Sequence, residues 1–290
     1  MNEIRLTGTI FAALLGLAFG SFLNVCLTRL PEEESVVAPR SHCRNCDHIL
    51  SWWENLPLVS WILLRGRCQS CRNWIGIRYP LVELAVGALW AGCWFAFSPP
   101  LFFHEPASIA TPNLVAGALT QIIGSQILCW MLVALAVLDL EHFWLPDVIT
   151  LPGIALGFIF TMLRSWSSST LARPISLLDS AWQSLLAILA GAGLILLIRL
   201  GYWIVKRQEG MGLGDAKLMA MLGAWLGFVG SMESFALSVI AAAAAALVWL
   251  AVLKIMRNSE DWTKIPLPLG SFLCFAAVFE VFYPQWLLRP

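Results

Sequence analysis

Long apolar runs alternate with short polar breaks along the whole chain. The runs are Thr7–Leu27, Leu81–Phe97, Leu114–Leu138, Val148–Leu163, Ala181–Val205, Leu218–Val229, Phe235–Ile255 and Ser271–Phe282. A helix needs about 20 mostly apolar residues to cross about 30 Å of hydrocarbon, and most of these runs are near that length. The pattern predicts an all-α polytopic membrane protein of about eight transmembrane helices, the sixth being short. Gly16, Gly20 and Ser21 give the first helix a small-residue face for close contact, and Asn24 near its end suits a hydrogen bond to a neighbouring helix. Glu83, near the start of the second run, reads as structural: an interfacial carboxylate or an arginine's partner. Four prolines make Ser98–Asn113 a loop, Arg164–Asp179 is a Ser-rich loop, and Pro146 turns the chain at Leu145. Pro152 and Gly153 are tolerable in the fourth helix if neighbours satisfy the backbone they disturb.

Composition agrees with that pattern. The chain is 59% hydrophobic and 12% charged with mean hydropathy +0.77, where soluble domains are about 25% charged. Many of its 15 Trp fall near predicted span ends, as an interfacial belt requires. A net charge of +0 argues against a nucleic-acid partner; the bilayer is the expected surroundings. The first run is too long for a cleavable signal and no A-x-A site follows it.

Arg29–Pro80 is the one long polar segment. It divides the chain into a first transmembrane helix (1–28), a polar domain (29–80) and a transmembrane region (81–290). Cys43-Arg44-Asn45-Cys46 and Cys68-Gln69-Ser70-Cys71 each offer two thiolates from one turn, and a tetrahedral Zn²⁺ takes four. Disulfides or a redox pair are the competing readings. The first needs an oxidising compartment, whereas Arg29, Arg40, Arg44, Arg65, Arg67, Arg72 and Arg78 place the segment in the cytoplasm by the positive-inside rule. A closed four-thiolate zinc is structural, and the arginines offset its negative charge. Cys26, Cys93, Cys129 and Cys274 lie in apolar runs and read as small buried hydrophobes. With eight spans and the polar domain inside, both termini face outward, and 139–147, 206–214 and 257–264 all face inward.

Two acids stand where apolar runs end or begin. Asp139 closes Ile127–Leu138, and Asp215 follows three glycines in Gly210-Met211-Gly212-Leu213-Gly214-Asp215-Ala216-Lys217. Ionisable groups at membrane depth are costly and point to function. Two neighbouring carboxylates share a proton and can activate water against a peptide carbonyl. The bland alternatives are an Asp215–Lys217 ion pair and a helix cap; for Asp147, which follows Leu145-Pro146, the N-cap is preferred.

Gly20-Ser21-Phe22-Leu23-Asn24-Val25, Arg29-Leu30-Pro31, the two C-x-x-C pairs, Trp53 through Trp61, Arg78 through Glu83, Asp139 through Asp147 and Gly212 through Lys217 together resemble the bacterial type IV prepilin peptidases. The resemblance covers most of the chain. It implies a G-x-G-D intramembrane aspartic protease of the bacterial inner membrane, with Asp139 and Asp215 as its catalytic pair facing the cytoplasm. It further implies cleavage of the short basic leader of type IV prepilins or type II secretion pseudopilins after a glycine. The new N-terminus would then be methylated with S-adenosylmethionine. Gly66 falls where the family has a methylation-linked glycine, although an ordinary turn glycine fits too. Ile265-Pro266-Leu267-Pro268-Leu269-Gly270 departs from the family's usual I-P-F-G-P. A peptidase without methyltransferase activity, a proton-coupled transporter and a zinc-organised scaffold are the alternatives.

Overall fold

The computed structural model describes residues 3–98, 112–168, 176–207, 212–255 and 267–285. Expectations for 99–111, 169–175, 208–211 (with Gly210) and 256–266 lie outside them. The main helices are α1 (Glu3–Arg29), α2 (Val59–Leu63), α3 (Arg78–Phe97), α4 (Pro112–His142), α5 (Asp147–Ser168), α6 (Leu177–Lys206), α7 (Leu213–Ile255) and α8 (Leu269–Phe282). The chain forms two compact units, Met1–Ala134 and Leu135–Pro290, with α4 running from one into the other.

Among the described residues, α1 and α3–α7 are long and apolar enough to cross a membrane, while α8 is shorter. The expected sixth and seventh runs are both in α7. Its 43 residues would extend about 65 Å if straight, twice the hydrocarbon thickness. Gly227 breaks it, at φ 73° and ψ −175°, a conformation only glycine adopts freely. Taking the two arms separately and adding α8 returns the expected eight apolar segments, but the break lies earlier than the polar stretch Gly230–Ser234 suggests. Helix continues through that stretch, where the serine hydroxyls satisfy themselves on carbonyls of the preceding turn: Ser231 to Phe228 at 2.9 Å, Ser234 to Gly230 at 2.8 Å and Ser238 to Phe235 at 2.7 Å. α6 also starts earlier than the apolar run, because the Ser176 hydroxyl accepts the Asp179 N–H and caps it.

In the first unit, α1 meets α3 through its small residues. A Cβ on Gly16 would stand 2.9 Å from the Gly87 Cα, and one on Gly20 2.7 Å from the Glu83 Cα. Asn24 donates its side-chain amide to the Tyr79 carbonyl at 2.9 Å, the expected interhelical bond. Cys26, Cys93 and Cys129 are buried here and Cys274 in the second unit, as small hydrophobes.

In the second unit, α6 and the first arm of α7 interlock. A Cβ on Gly191 would lie 2.5 Å from the Met219 carbonyl oxygen, and one on Gly223 2.4 Å from that of Ala187. Both pairs are one helical turn apart, so the backbones touch over at least one turn. Across α5, Trp225 donates its indole N–H to the Gly153 carbonyl beside Pro152 at 2.8 Å, and the Thr161 hydroxyl bonds the Ala224 carbonyl at 2.9 Å. The start of α7, which carries Asp215, is thereby held in register.

Candidate functional site

The cysteine pairs form two copies of one local structure. In each, the first Cys N–H is given to the carbonyl five residues on (Cys43 to His48, Cys68 to Asn73), and a return bond runs from Asp47 or Arg72 to that Cys carbonyl. Bridges His42–Ile49 and Arg67–Trp74 close the two turns. Asp47 and Arg72, each directly after its second cysteine, have φ of 54° and 59°, reversing the chain so that both sulfurs face one point.

The four Sγ atoms lie within 4.8 Å of one another. Cys43 and Cys71 are 3.8 Å apart, Cys46 and Cys68 4.0 Å. Four thiolates about 2.3 Å from a tetrahedral Zn²⁺ stand about 3.8 Å apart, so this donor set fits zinc. The same separations are nearly twice a disulfide's S–S bond. The Asn73 backbone N–H, with the Asn45 amide, holds the Cys71 thiol down to about 6. Burial pushes that of Cys43 up to about 11.

Polar side chains, some buried and some exposed, tie the surrounding loop down. Arg29 donates to the Ser35 and Pro39 carbonyls at 2.8 Å each, and Arg44 pairs with Glu32 and Glu34. Glu83 accepts the Leu58 N–H at 2.8 Å, a structural role, though not with an arginine. Burial alone would raise the Glu54 carboxyl, but the Ser51 N–H and His48 outweigh it and hold it below its usual range. Gly66, at φ +66°, is a turn residue: a Cβ there would meet Trp74 at 2.7 Å and Trp61 at 2.9 Å.

In the second unit, Asp139 and Asp215 line one cavity of about 630 Å³, together with Phe143, Trp144, Leu145, Gly212, Gly214 and Leu267–Leu269. They lie within electrostatic reach of each other. Asp139 is 6% exposed. Its Oδ2 accepts the Ser271 backbone N–H at 2.6 Å and the Ser271 hydroxyl at 2.9 Å. That N–H is in the first turn of α8 and is shared with the Pro268 carbonyl at 3.2 Å; the helix dipole there favours an anion. Leu145 sits between the acids' backbone neighbours: a Cβ on Gly214 or on Gly270 would be 3.1 Å from Leu145 side-chain atoms. The two glycines let the start of α7 and the start of α8 close around it.

The ion-pair alternative for Asp215 does not hold here. Lys217 pairs with Asp147 at 2.5 Å, across the start of α5, so it is not the partner assigned to Asp215 by proximity in sequence. Asp147 is the first residue of α5, and the Ile149 and Thr150 N–H groups go to the Pro146 carbonyl. The expected Asp147 N-cap is therefore replaced by an ion pair in the first turn. Ser271 and Gly270 were missed from sequence; the available signal was a polar residue opening an apolar run, the same one that marked Asp215.

Long apolar helices and a four-thiolate centre define a multi-pass membrane protein, and two aspartates lining one cavity suit protease chemistry. Comparison with known proteins makes this specific. Residues 14–97 match the bacterial peptidase A24 N-terminal domain and residues 126–250 the type IV leader peptidase family. The chain is 34% identical over 307 residues to the prepilin leader peptidase/N-methyltransferase of Burkholderia pseudomallei (strain 1026b), covering 96% of this chain and 87% of that protein. To the protein of the same name in Pseudomonas aeruginosa it is 32% identical over 301 residues, covering 95% and 90%. To that of Myxococcus xanthus it is 36% identical over 217 residues, covering 75% of this chain but only 56% of that one. No solved structure matches. The chain belongs to the type IV leader peptidase family, and it is an enzyme.

Proposed function

We propose that this protein removes the leader of type IV prepilins or type II secretion pseudopilins and then N-methylates the new N-terminus. The observation that carries the first half is the cavity bearing both Asp139 and Asp215, brought together from helices distant in sequence. With one proton shared between them, the charged member takes a proton from water as the oxygen attacks the scissile carbonyl carbon. The protonated member gives its proton to the carbonyl oxygen. Collapse of the tetrahedral intermediate breaks the C–N bond, and the leaving nitrogen takes up a proton. Apolar walls from Phe143, Trp144 and Leu145 suit a substrate whose cleavage point adjoins a hydrophobic helix.

Cys43, Cys46, Cys68 and Cys71 hold one structural Zn²⁺, which fixes the 29–80 domain. S-adenosylmethionine supplies an electrophilic methyl group for the second reaction. The enzyme works in the bacterial inner membrane with its acids at the cytoplasmic face. In support, the segments around Asp139, Asp147, Gly214 and Leu267 converge on one cavity, as segments on one side of a bilayer must. The test is incubation of purified protein with a prepilin, reading leader removal by gel shift and N-terminal mass by mass spectrometry. Intact prepilin after incubation with the wild-type enzyme would overturn the proposal.

A further inference from the structure

One residue on the wall of the acid cavity holds a costly backbone conformation. Phe143 directly follows α4 and has φ 51°. In that left-handed region a Cβ crowds the backbone, and the position after a helix is usually glycine, sometimes asparagine. The Phe143 N–H goes to the Asp139 carbonyl at 3.0 Å, so the residue closes α4 one turn beyond the acid. Among the described residues, eight non-glycines have positive φ. Phe143 is the one aromatic residue of the eight, and the one that lines the cavity of Asp139 and Asp215.

Burial does little to offset that conformation. Phe143 is 53% exposed, whereas Leu145, two residues on, is 8% exposed. A turn alone would be served by glycine, which takes positive φ without strain. A bulky side chain kept in a strained position at a cavity points to a use for that side chain there. Trp144, also exposed, lines the same wall. Asp147 and Lys217, the other charged groups on the wall, are paired with each other. The two aromatic side chains therefore offer apolar surface beside the acids, of a kind that binds an apolar side chain with little loss of rotamer freedom.

We propose that Phe143 is a specificity-determining residue. Its ring, with Trp144, receives the first apolar side chain on the C-terminal side of the scissile bond and so sets that bond against the two acids. This rests on the peptidase half of the proposed function, in which the apolar segment of the substrate follows its leader. The left-handed turn places the ring on the cavity wall, and the same turn is tied to the Asp139 backbone. One short stretch thus holds both a reacting group and the surface that aligns the substrate with it.

The test is the kinetics of leader removal from a prepilin by the purified full-length protein. Phe143→Gly removes the ring and the strain together. It should lower kcat/KM about tenfold or more, the scale of a lost apolar contact in a specificity pocket, while its Tm in detergent equals or exceeds that of wild type. Phe143→Asn, which also tolerates the left-handed region, should show the same loss if glycine loosens the turn. Phe143→Tyr keeps the aromatic face and should recover most of the rate. A prepilin with its first apolar residue after the scissile bond replaced by Ala completes a double-mutant cycle. If the ring touches that side chain, the combined loss should be well below the product of the two single losses. Losses that multiply would overturn the contact, since a defect passed through Asp139 alone would behave that way. Wild-type kcat/KM in Phe143→Gly, with a fall in Tm and membrane yield, would make Phe143 an interfacial anchor instead. Wild-type kcat/KM with wild-type Tm would equally overturn the assignment; in both cases the peptidase reading stands. Prepilin left intact by the wild-type enzyme would overturn that reading, and the assignment with it.

Discussion

Ser271→Ala isolates the support given to one acid. The hydroxyl lies 2.9 Å from Asp139 Oδ2 and 3.0 Å from the Ala136 carbonyl. Its single proton can serve only one of them at a time, so its contribution to Asp139 is shared. Alanine removes the hydroxyl but leaves the backbone N–H at 2.6 Å and keeps the helix. A hydrogen bond to a charged group contributes about 1.5–3 kcal/mol, or about 10- to 100-fold in rate. With the shorter bond retained and the hydroxyl shared, the expected loss is at the lower end, about tenfold. The assay is the initial rate of leader removal over a range of prepilin concentrations. A group that acts by orienting Asp139 should lower kcat with KM little changed. Ser271→Thr keeps the hydroxyl and should recover most of the rate. A wild-type kcat in Ser271→Ala would refute the positioning role. A matched fall in activity and membrane yield would show a packing defect instead.

The other expectations concern the acids, the metal and Gly66. Asp139→Asn and Asp215→Asn should each cut cleavage by about 10³-fold or more, within the range of general acid–base catalysis, while the protein still accumulates in the membrane; substantial cleavage by either removes that residue from the pair. Metal analysis should return about one Zn²⁺ per chain, the stoichiometry of a four-thiolate site. Replacing Cys43 and Cys46 by Ser should abolish zinc binding and open Arg29–Pro80 to protease, because metal binding there is folding energy; full zinc in that variant rejects the site. Gly66→Ala should impair methylation of a pre-cleaved pilin at least tenfold more than cleavage, read by mass spectrometry of the pilin N-terminus; equal losses would count against separate sites. Gly270→Ala places a Cβ 3.0 Å from the Asp139 carboxyl and should slow cleavage without loss of zinc.

The sequence alone determined what is local. Apolar run length fixed the membrane helices because lipid offers the backbone no hydrogen bonds, so a span must satisfy itself within the run. Two C-x-x-C pairs fixed the thiolate centre because each turn aims its own two sulfurs. The cost of charge at the edge of an apolar run marked Asp139 and Asp215. Tertiary structure decided which of these groups meet. Lys217 is two residues from Asp215 yet pairs with Asp147, and Ser271 reaches Asp139 from 132 residues away. The break at Gly227, where the sequence offers several glycines and serines nearby, was likewise visible only in the structure. Periodicity and spacing report how a segment satisfies itself. They carry no information on which distant donor meets an acceptor, because that follows from how closely the small residues of α6, α7 and α8 let their helices approach.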